Sequence, residues 1–545
     1  MKRSIFAILI LAVSCSKGGG SSSSALALLA LAPSGSSSSG TQTPSPLPDI
    51  FPSPQAAPVA PSGTPITPVT PAPAPVANCQ PSVNLKLTDI KFADANLAAC
   101  VKKTGFVFAR EVTSLQCINW VKSLAGLECL SSLKQLDVSN NPISDLSPIA
   151  TLTGLEELRL GFMLTNVDLA LLAPLVKLKS LNVSQIASFD RLPVENFPDM
   201  ERFTAAFNGL TTARASRICK MKKLKYISLY ANKMEDIRFL AECPDLEELD
   251  LTDNLIAEPS QFGLLKSLKK LTLWSNRLVN LKGISDASNL EYLVLAYNQL
   301  ENIEGLRGLQ KLNALEISNN RIRNLEPVGD LPNLESFSAG YNPFENLAPL
   351  GRLKKLKHLG FAGNNDVDLQ TMPEIPSARR LVFWYSNLKR IDPLVRLPNL
   401  EWLALDDNPV EDLSPLCHLT KIERLIITGA TAQDLSPIAH LQDLKYFVNE
   451  FAPDLDLTPM KNLKKIQYLL LYGARITDVS PIGSLTSLVS LDLGDNQVQT
   501  GVRDLANLSA TYVFLYGNDN IPCLDLNYFS ANHAGTHVLP DSCKQ

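Results

Sequence analysis

The tyrosines and tryptophans of this chain keep a common spacing. Tyr226, Tyr292, Trp402, Tyr446, Tyr468 and Tyr512 are separated by whole multiples of a 22-residue period. Tyr230, Trp274, Trp384, Tyr472 and Tyr516 hold a second register four positions later, and Tyr297, Tyr341 and Tyr385 a third, one position further on. Only Tyr528 of the twelve tyrosines and Trp120 of the four tryptophans stand apart. Such rings offer large contact area at low entropy cost and keep a polar handle, so the chemistry they suit is recognition. Strand propensity explains aromatics in strands but not their restriction to one face. Phe451 and Phe514 share these registers or the position between them. So do Asp137, Glu157, Glu248, Asp250, Asp253, Glu316, Asp406, Asp407, Glu450, Asp492 and Asp495, against Arg159, Arg202, Lys270, Arg380 and Arg424. The face reads as aromatic and acidic, suited to a neutral or basic partner with cation–π contacts.

Catalytic chemistry is harder to find. The five histidines are scattered, and His533 and His537, four apart, read as a surface pair with no third ligand. Asp366-Val367-Asp368 and Asp454-Leu455-Asp456 lack the Gly and closing Glu of a calcium loop. No phosphate-cradling glycine loop or nucleophile elbow occurs. The chain reads as a non-enzyme with no metal and no cofactor.

The elements that position these residues are repeats. Leu268 to Leu281, LKKLTLWSNRLVNL, has the form L-x-x-L-x-L-x-x-N-x-L, and from Leu224 to Ala510 the form starts fourteen times at a constant step of 22. Met200, Leu178, Leu155 and Leu133 extend it to eighteen, with steps of 24, 22, 23 and 22. The fourth and sixth residues point to one side of a short strand; the third, fifth and seventh point to the other. One repeat cannot bury its own leucines, so stacking must. Eighteen strands spaced about 4.8 Å apart give an arc on the order of 85 Å. The motif asparagines, such as Asn254, Asn276 and Asn298, sit where the chain leaves the strand and can ladder onto neighbouring turns. Asp-Leu-Ser-Pro segments (Asp145–Pro148, Asp412–Pro415, Asp434–Pro437) suit short helical starts. The spacing leaves no room for long helices, so 3₁₀ turns are expected. The pattern weakens at Met163 and Ile186, and Ala430, Ala452 and Ala474 replace the asparagine in succession. Those turns need another backbone partner, and beside Tyr446, Phe451, Tyr468 and Tyr472 they mark a candidate sub-site.

This pattern resembles the leucine-rich repeat. The 22-residue form with its Leu-Ser-Pro-Ile segments is similar to the bacterial internalin type, over about residues 112–545. The resemblance implies an α/β solenoid: a leucine-rich-repeat horseshoe with a parallel concave sheet, short 3₁₀ or extended convex segments and disulfide-stabilised end caps. It also implies adhesion or recognition outside the cell.

The caps carry most of the ten cysteines. Cys79, Cys100, Cys117 and Cys129 precede the first full repeat, enough for two disulfides in any of three pairings. Cys523 and Cys543 follow the last repeat and are expected to pair. Cys219 and Cys243 either pair or remain buried thiols, and Cys417 reads as a buried, inert thiol. Asp94 is placed to cap a helix from Ala95 to about Lys103 that stops at Gly105. A degenerate repeat at Val112, Leu115 and Cys117 completes the N-terminal cap.

Met1-Lys2-Arg3 and the apolar run Ser4–Val13 form a secretion signal. Leu11-Ala12-Val13-Ser14-Cys15 resembles the lipobox of bacterial lipoproteins, departing from it at Ala12, where Leu is usual. The resemblance implies lipid on Cys15 as the only membrane anchor. Ser16, in place of the Asp that retains enteric lipoproteins at the inner membrane, points to an outer membrane. Residues 16–78, Gly/Ser-rich then Pro-rich, read as a stalk reaching at most roughly 195 Å. Beyond residue 78 the net charge is −6, with no basic footprint for nucleic acid.

The expected organisation is a signal peptide (1–14), lipidated Cys and stalk (15–78), N-terminal cap (79–132), repeats (133–509), and last repeat with C-terminal cap (510–545). The expected function is that of an exported, monomeric binding protein anchored in the cell envelope, with surface and periplasmic orientations both left open. It takes a protein or peptide on Tyr226, Tyr230, Trp274, Tyr292, Tyr297, Tyr341, Trp384, Tyr385, Trp402, Asp406, Tyr446, Tyr468 and Tyr472. The alternatives are a glycan or peptidoglycan binder and a structural envelope protein.

Overall fold

A computed structural model describes residues 84–118, 120–163, 166–452 and 454–541. The signal, Cys15, the stalk, Cys79 and Cys543 lie outside them. Among the described residues, twenty three-residue strands, from β1 (Ser114–Gln116) to β20 (Thr536–Val538), pair in parallel and in chain order. Register follows the repeat: Tyr226 faces Glu248, Glu248 faces Lys270, and Ser490 faces Tyr512. Two strands exceed the eighteen motif starts. β1 belongs to the degenerate repeat at Leu115, and β20, which the sequence pattern does not announce, lies in the C-terminal cap.

The fold is a leucine-rich-repeat solenoid. Its return segments are short, mostly 3₁₀ turns such as Ser414–His418 and Ser436–His440. Each of these starts where a serine N–H donates to the preceding aspartate, Ser414 to Asp412 and Ser436 to Asp434, both at 2.8 Å. Proline follows in the first turn, where its missing N–H costs nothing. The inward side chains make one continuous core from the N-terminal helix to Phe529. Much of the phenylalanine belongs to this core. The rings of Phe337, Phe361 and Phe383 follow one another at 6.0 and 5.2 Å between centroids.

The strand exits hold the repeats together. Asn320 donates to the carbonyls of Leu295, Ile317 and Ser318 at 3.0–3.2 Å, and its oxygen accepts the Leu300 N–H at 2.9 Å. One buried amide thus ties two repeats. Where alanine replaces it, the backbone finds other partners. With Ala430 in the asparagine position, the Val410 N–H reaches the Asn408 carbonyl at 2.8 Å, and the Ala430 N–H reaches the Ile427 carbonyl at 3.0 Å. Lysines and glutamates at the second motif position pair across strands along one edge, among them Lys134–Glu156 (3.4 Å) and Lys269–Glu247 (2.7 Å). These pairs are exposed and add little stability singly.

The ends close as the sequence suggests, with amendments. Asp94 accepts the Asn96 and Leu97 N–H groups at the start of helix Ala95–Lys103, and the Lys122 N–H as well. Cys100 pairs with Cys117, their Cα atoms 5.8 Å apart. Cys129 and Cys523 are also disulfide-bonded. Cys219 and Cys243 pair, Cα 5.2 Å apart, resolving the alternative left open. Cys417 is free but half-buried rather than buried. His533 is not a surface residue: it is buried and stacked on Phe529 at 4.9 Å, because the terminal helix Cys523–Asn532 packs on the last repeat.

The asparagine ladder and the internal bridge are both open to measurement. Asn320→Ala strips partners from three carbonyls and one N–H; denaturant unfolding should show a loss of about 3 kcal/mol. The Cys219–Cys243 bridge closes a segment with a sequence separation of 24. Its replacement by serines should cost about 3 kcal/mol, read as a lower unfolding midpoint under non-reducing conditions.

Candidate binding face

The outward side chains of the sheet form four rows, at motif positions three, five, seven and eight. The rows were legible in the sequence; what each ring touches was not. Tyr226, Tyr230, Trp274, Tyr292, Trp384, Trp402, Tyr446, Tyr468 and Tyr472 are half-buried against neighbours. Tyr446 and Tyr468 lie 5.7 Å apart, and Trp274 packs on Tyr297 at 4.7 Å. Tyr472 donates its hydroxyl to Asp495. The predicted residues therefore form a continuous sheet surface rather than one pocket.

Position eight has a property that the sequence pattern hid. Its residue takes left-handed backbone in every one of the eighteen repeats, from Asn140 (φ 60°) to Gly517 (φ 70°). This reverses the chain out of the strand. Glycine occupies it at Gly363, Gly429, Gly473 and Gly517 without steric cost. Yet six repeats place an aromatic ring there: Phe162, Phe207, Tyr297, Tyr341, Tyr385 and Phe451, with φ between 50° and 60°. Each costs roughly 1–2 kcal/mol against glycine. All six are exposed, from 36% at Phe162 to 66% at Phe451. Strand propensity cannot account for them, because the position is outside the strand. The tyrosine and tryptophan registers omit Phe162 and Phe207, although their position in the motif was the available signal. Phe207 sits between Phe162 (5.8 Å) and Tyr230 (4.8 Å). Beside it Met163, Asn166, Gln185, Ile186 and Asn208 line a shallow recess of about 580 Å³.

The electrostatics differ from a simple acidic face. Glu248 is paired with Lys270 at 3.0 Å, and Arg202 lies over the Tyr226 ring at 4.0 Å. Burial pushes Asp406 up to about 7, with repulsion from Asp407 and Glu450 adding to it. Burial also pushes Glu450 up to about 7, helped by Asp492. Burial raises Asp492 and Glu316 as well. Burial and the hydrogen-bonded Asp407 take the Tyr385 hydroxyl up to about 12. Near neutral pH, part of the formal negative charge is therefore absent.

Repeats 378–487 concentrate further departures from the pattern. Position five is apolar five times running, at Val382, Ala404, Ile426, Val448 and Leu470, although it faces outward. Trp402 stacks between the guanidinium groups of Arg380 (3.7 Å) and Arg424 (5.1 Å). The indole N–H groups of Trp384 and Trp402 are buried without an acceptor among the described residues. Asn449 stands fully buried at an inward position that takes mostly leucine, isoleucine or valine elsewhere, and neither atom of its amide has a partner there. Among the described residues no cluster of His, Cys, Asp or Glu is arranged to hold a metal.

Comparison with known proteins agrees with the geometry. The leucine rich repeat family matches at residues 266–322, and a second leucine rich repeat model at 132–152. TLR13 in a complex with ssRNA13 is similar at 19% identity and TM-score 0.61, over 75% of this chain and 72% of that one. A leucine-rich-repeat protein of Leptospira interrogans is similar at 22% identity and TM-score 0.54, over 69% and 94%. The functional domain of InlJ from Listeria monocytogenes is similar at 22% identity and TM-score 0.51, over 69% and 82%. No curated protein sequence matches the chain. Repeats, sheet and structural neighbours agree on a leucine-rich-repeat solenoid fold.

The two raised carboxyls bind protons more tightly folded than unfolded. Their stabilising contribution is therefore complete below about pH 4 and lost as pH rises through about 7. The double variant Asp406→Asn/Glu450→Gln should remove that loss. Its thermal midpoint, relative to the parent, should be higher at pH 8 than at pH 5; an equal difference at both would contradict the assignment.

Proposed function

We infer that this chain is a non-enzymatic binding protein whose sheet face takes a protein or peptide ligand. The observation that carries the reading is the row of exposed rings in left-handed backbone. Six repeats hold Phe or Tyr where glycine would be less strained, and the rings face solvent. Residues kept against backbone preference and left exposed are those that function retains. The half-buried Tyr and Trp of the strands extend the same surface, and the ligand-contacting set proposed from the sequence lies on it.

The context comes from the N-terminal sequence. In this reading Cys15 carries a lipid that anchors the chain in the cell envelope at an outer membrane, residues 16–78 serve as a stalk, and the repeats work on either its surface or its periplasmic side. Among the described residues no helix is long and apolar enough to cross a membrane. Protease shaving of intact cells tests this arrangement: loss of the repeat region places it outside, and full protection until the envelope is opened places it within.

A glycan ligand is the second reading, favoured by the Tyr472–Asp495 hydrogen bond, since an aromatic ring beside a carboxylate suits a sugar. The triple variant Tyr297→Gly/Tyr341→Gly/Tyr385→Gly separates ring from scaffold. Its melting temperature should stay within a few degrees of the parent, since glycine suits this left-handed turn. Recovery of the ligand by the immobilised chain from envelope and medium fractions should fall at least tenfold. The same should hold for Trp384→Ala/Tyr385→Ala/Trp402→Ala. Undiminished recovery would sink the binding face, and retention on glycan arrays or insoluble wall would establish the second reading instead.

A further inference from the structure

Many basic side chains on the strand starts of this array have an acidic partner. Glu401 is held by Arg379 at 3.3 Å, and Glu423 by Lys445 at 2.8 Å. Arg380 and Arg424, between them, have no ion-pair partner among the described residues. They lie half-buried on either side of the Trp402 ring, and burial and Arg424 together pull the Arg380 guanidinium down. Each guanidinium gains from the indole face, but its N–H donors have no carboxylate to take them, and a ligand carboxylate would supply that acceptor.

The surroundings say which anion. Next along the strands comes the apolar floor, in which Val382, Ile426 and Leu470 remain half-exposed. Beyond it, four positions from the arginine row and so about 13 Å away, stand Asp406 and Glu450. A polyanion laid across the strands would meet these carboxyls and lose what the arginines supply. A single carboxylate followed by apolar side chains meets no such conflict. A basic group at the far end would gain from the carboxyls.

We propose that repeats 378–487 bind an extended peptide segment running along the strand direction, with one Asp or Glu side chain paired to Arg380 or Arg424 at the rim of the Trp402 ring and apolar side chains on the Val382–Leu470 floor. This rests on the protein-binding reading above and names the ligand's chemistry. It also amends the expectation of a neutral or basic partner: the acidic face has a cationic edge, and the ligand must bring a carboxylate to it.

The test probes the full chain with an array of random 12-mer peptides. Bound peptides should be enriched in an Asp or Glu beside two or more apolar residues, and depleted in runs of acidic residues. Arg380→Gln/Arg424→Gln should cut binding of those peptides at least tenfold. Its melting temperature should stay within a few degrees of the parent's, because a repulsion and two guanidinium–indole contacts are lost together. Unchanged acidic enrichment in the double variant, or enrichment of purely basic peptides, would overturn the proposal while leaving the binding face intact. Displacement of bound peptide by heparin or single-stranded DNA, with a steep dependence on salt, would also overturn it, in favour of a polyanion. Absence of any captured peptide, with capture of glycans, would remove the parent reading itself.

Discussion

Each repeat carries inward side chains that it cannot cover alone, and every other feature of the array follows from that constraint. A three-residue strand with Ile227 on its inner side, followed by the inward Leu229, has no stable existence apart from the strands beside it. Burial is complete only when the next repeat arrives in register. Equal repeat length keeps the register: from Tyr226 to Tyr512 each strand pairs with its counterpart in the next repeat, and equivalent residues meet. The asparagine amides then add direction. Asn320 bonds to carbonyls in its own repeat and the one before, so the stack has a single geometry rather than a sliding one.

That regularity gives the departures their meaning. A turn repeated in left-handed backbone makes one position per repeat unfavourable for any side chain. Aromatic rings at six such positions, all exposed, run against the preference of the backbone. The same logic applies to the outward apolar row from Val382 to Leu470 and to the unpartnered amide of Asn449. Neither improves packing in the core. The loss of the asparagine ladder at Ala430, Ala452 and Ala474 falls in the same stretch, which ties a change in how repeats are fastened to a change in what they present.

Charge was the property least legible in the sequence. Counting carboxylates along the registers gave an acidic face. In the folded array, Glu248 is neutralised by Lys270, and Asp406 and Glu450 sit where burial favours their protonated forms. Arg380 and Arg424, outnumbered in that count, have no ion-pair partner among the described residues, and neither have Arg159 and Arg202. Formal charge is additive along a chain; effective charge depends on solvent exposure and on which neighbour lies across the strand.

The sequence by itself determined the repeat, its period, its inward and outward positions, the short return turns and the Asp94 helix cap. These rest on local spacing, and a 22-residue period kept over fourteen consecutive starts admits one way of stacking. Tertiary structure alone decided the rest. It brought Cys219 to Cys243, buried His533 on Phe529, added the strand Thr536–Val538 and set Trp402 between Arg380 and Arg424. It also showed that the exit position is left-handed throughout. The reason is physical: pairings across the array depend on distances between residues a full repeat or more apart, and no local pattern in the chain encodes which side chain will find a partner and which will be left without one.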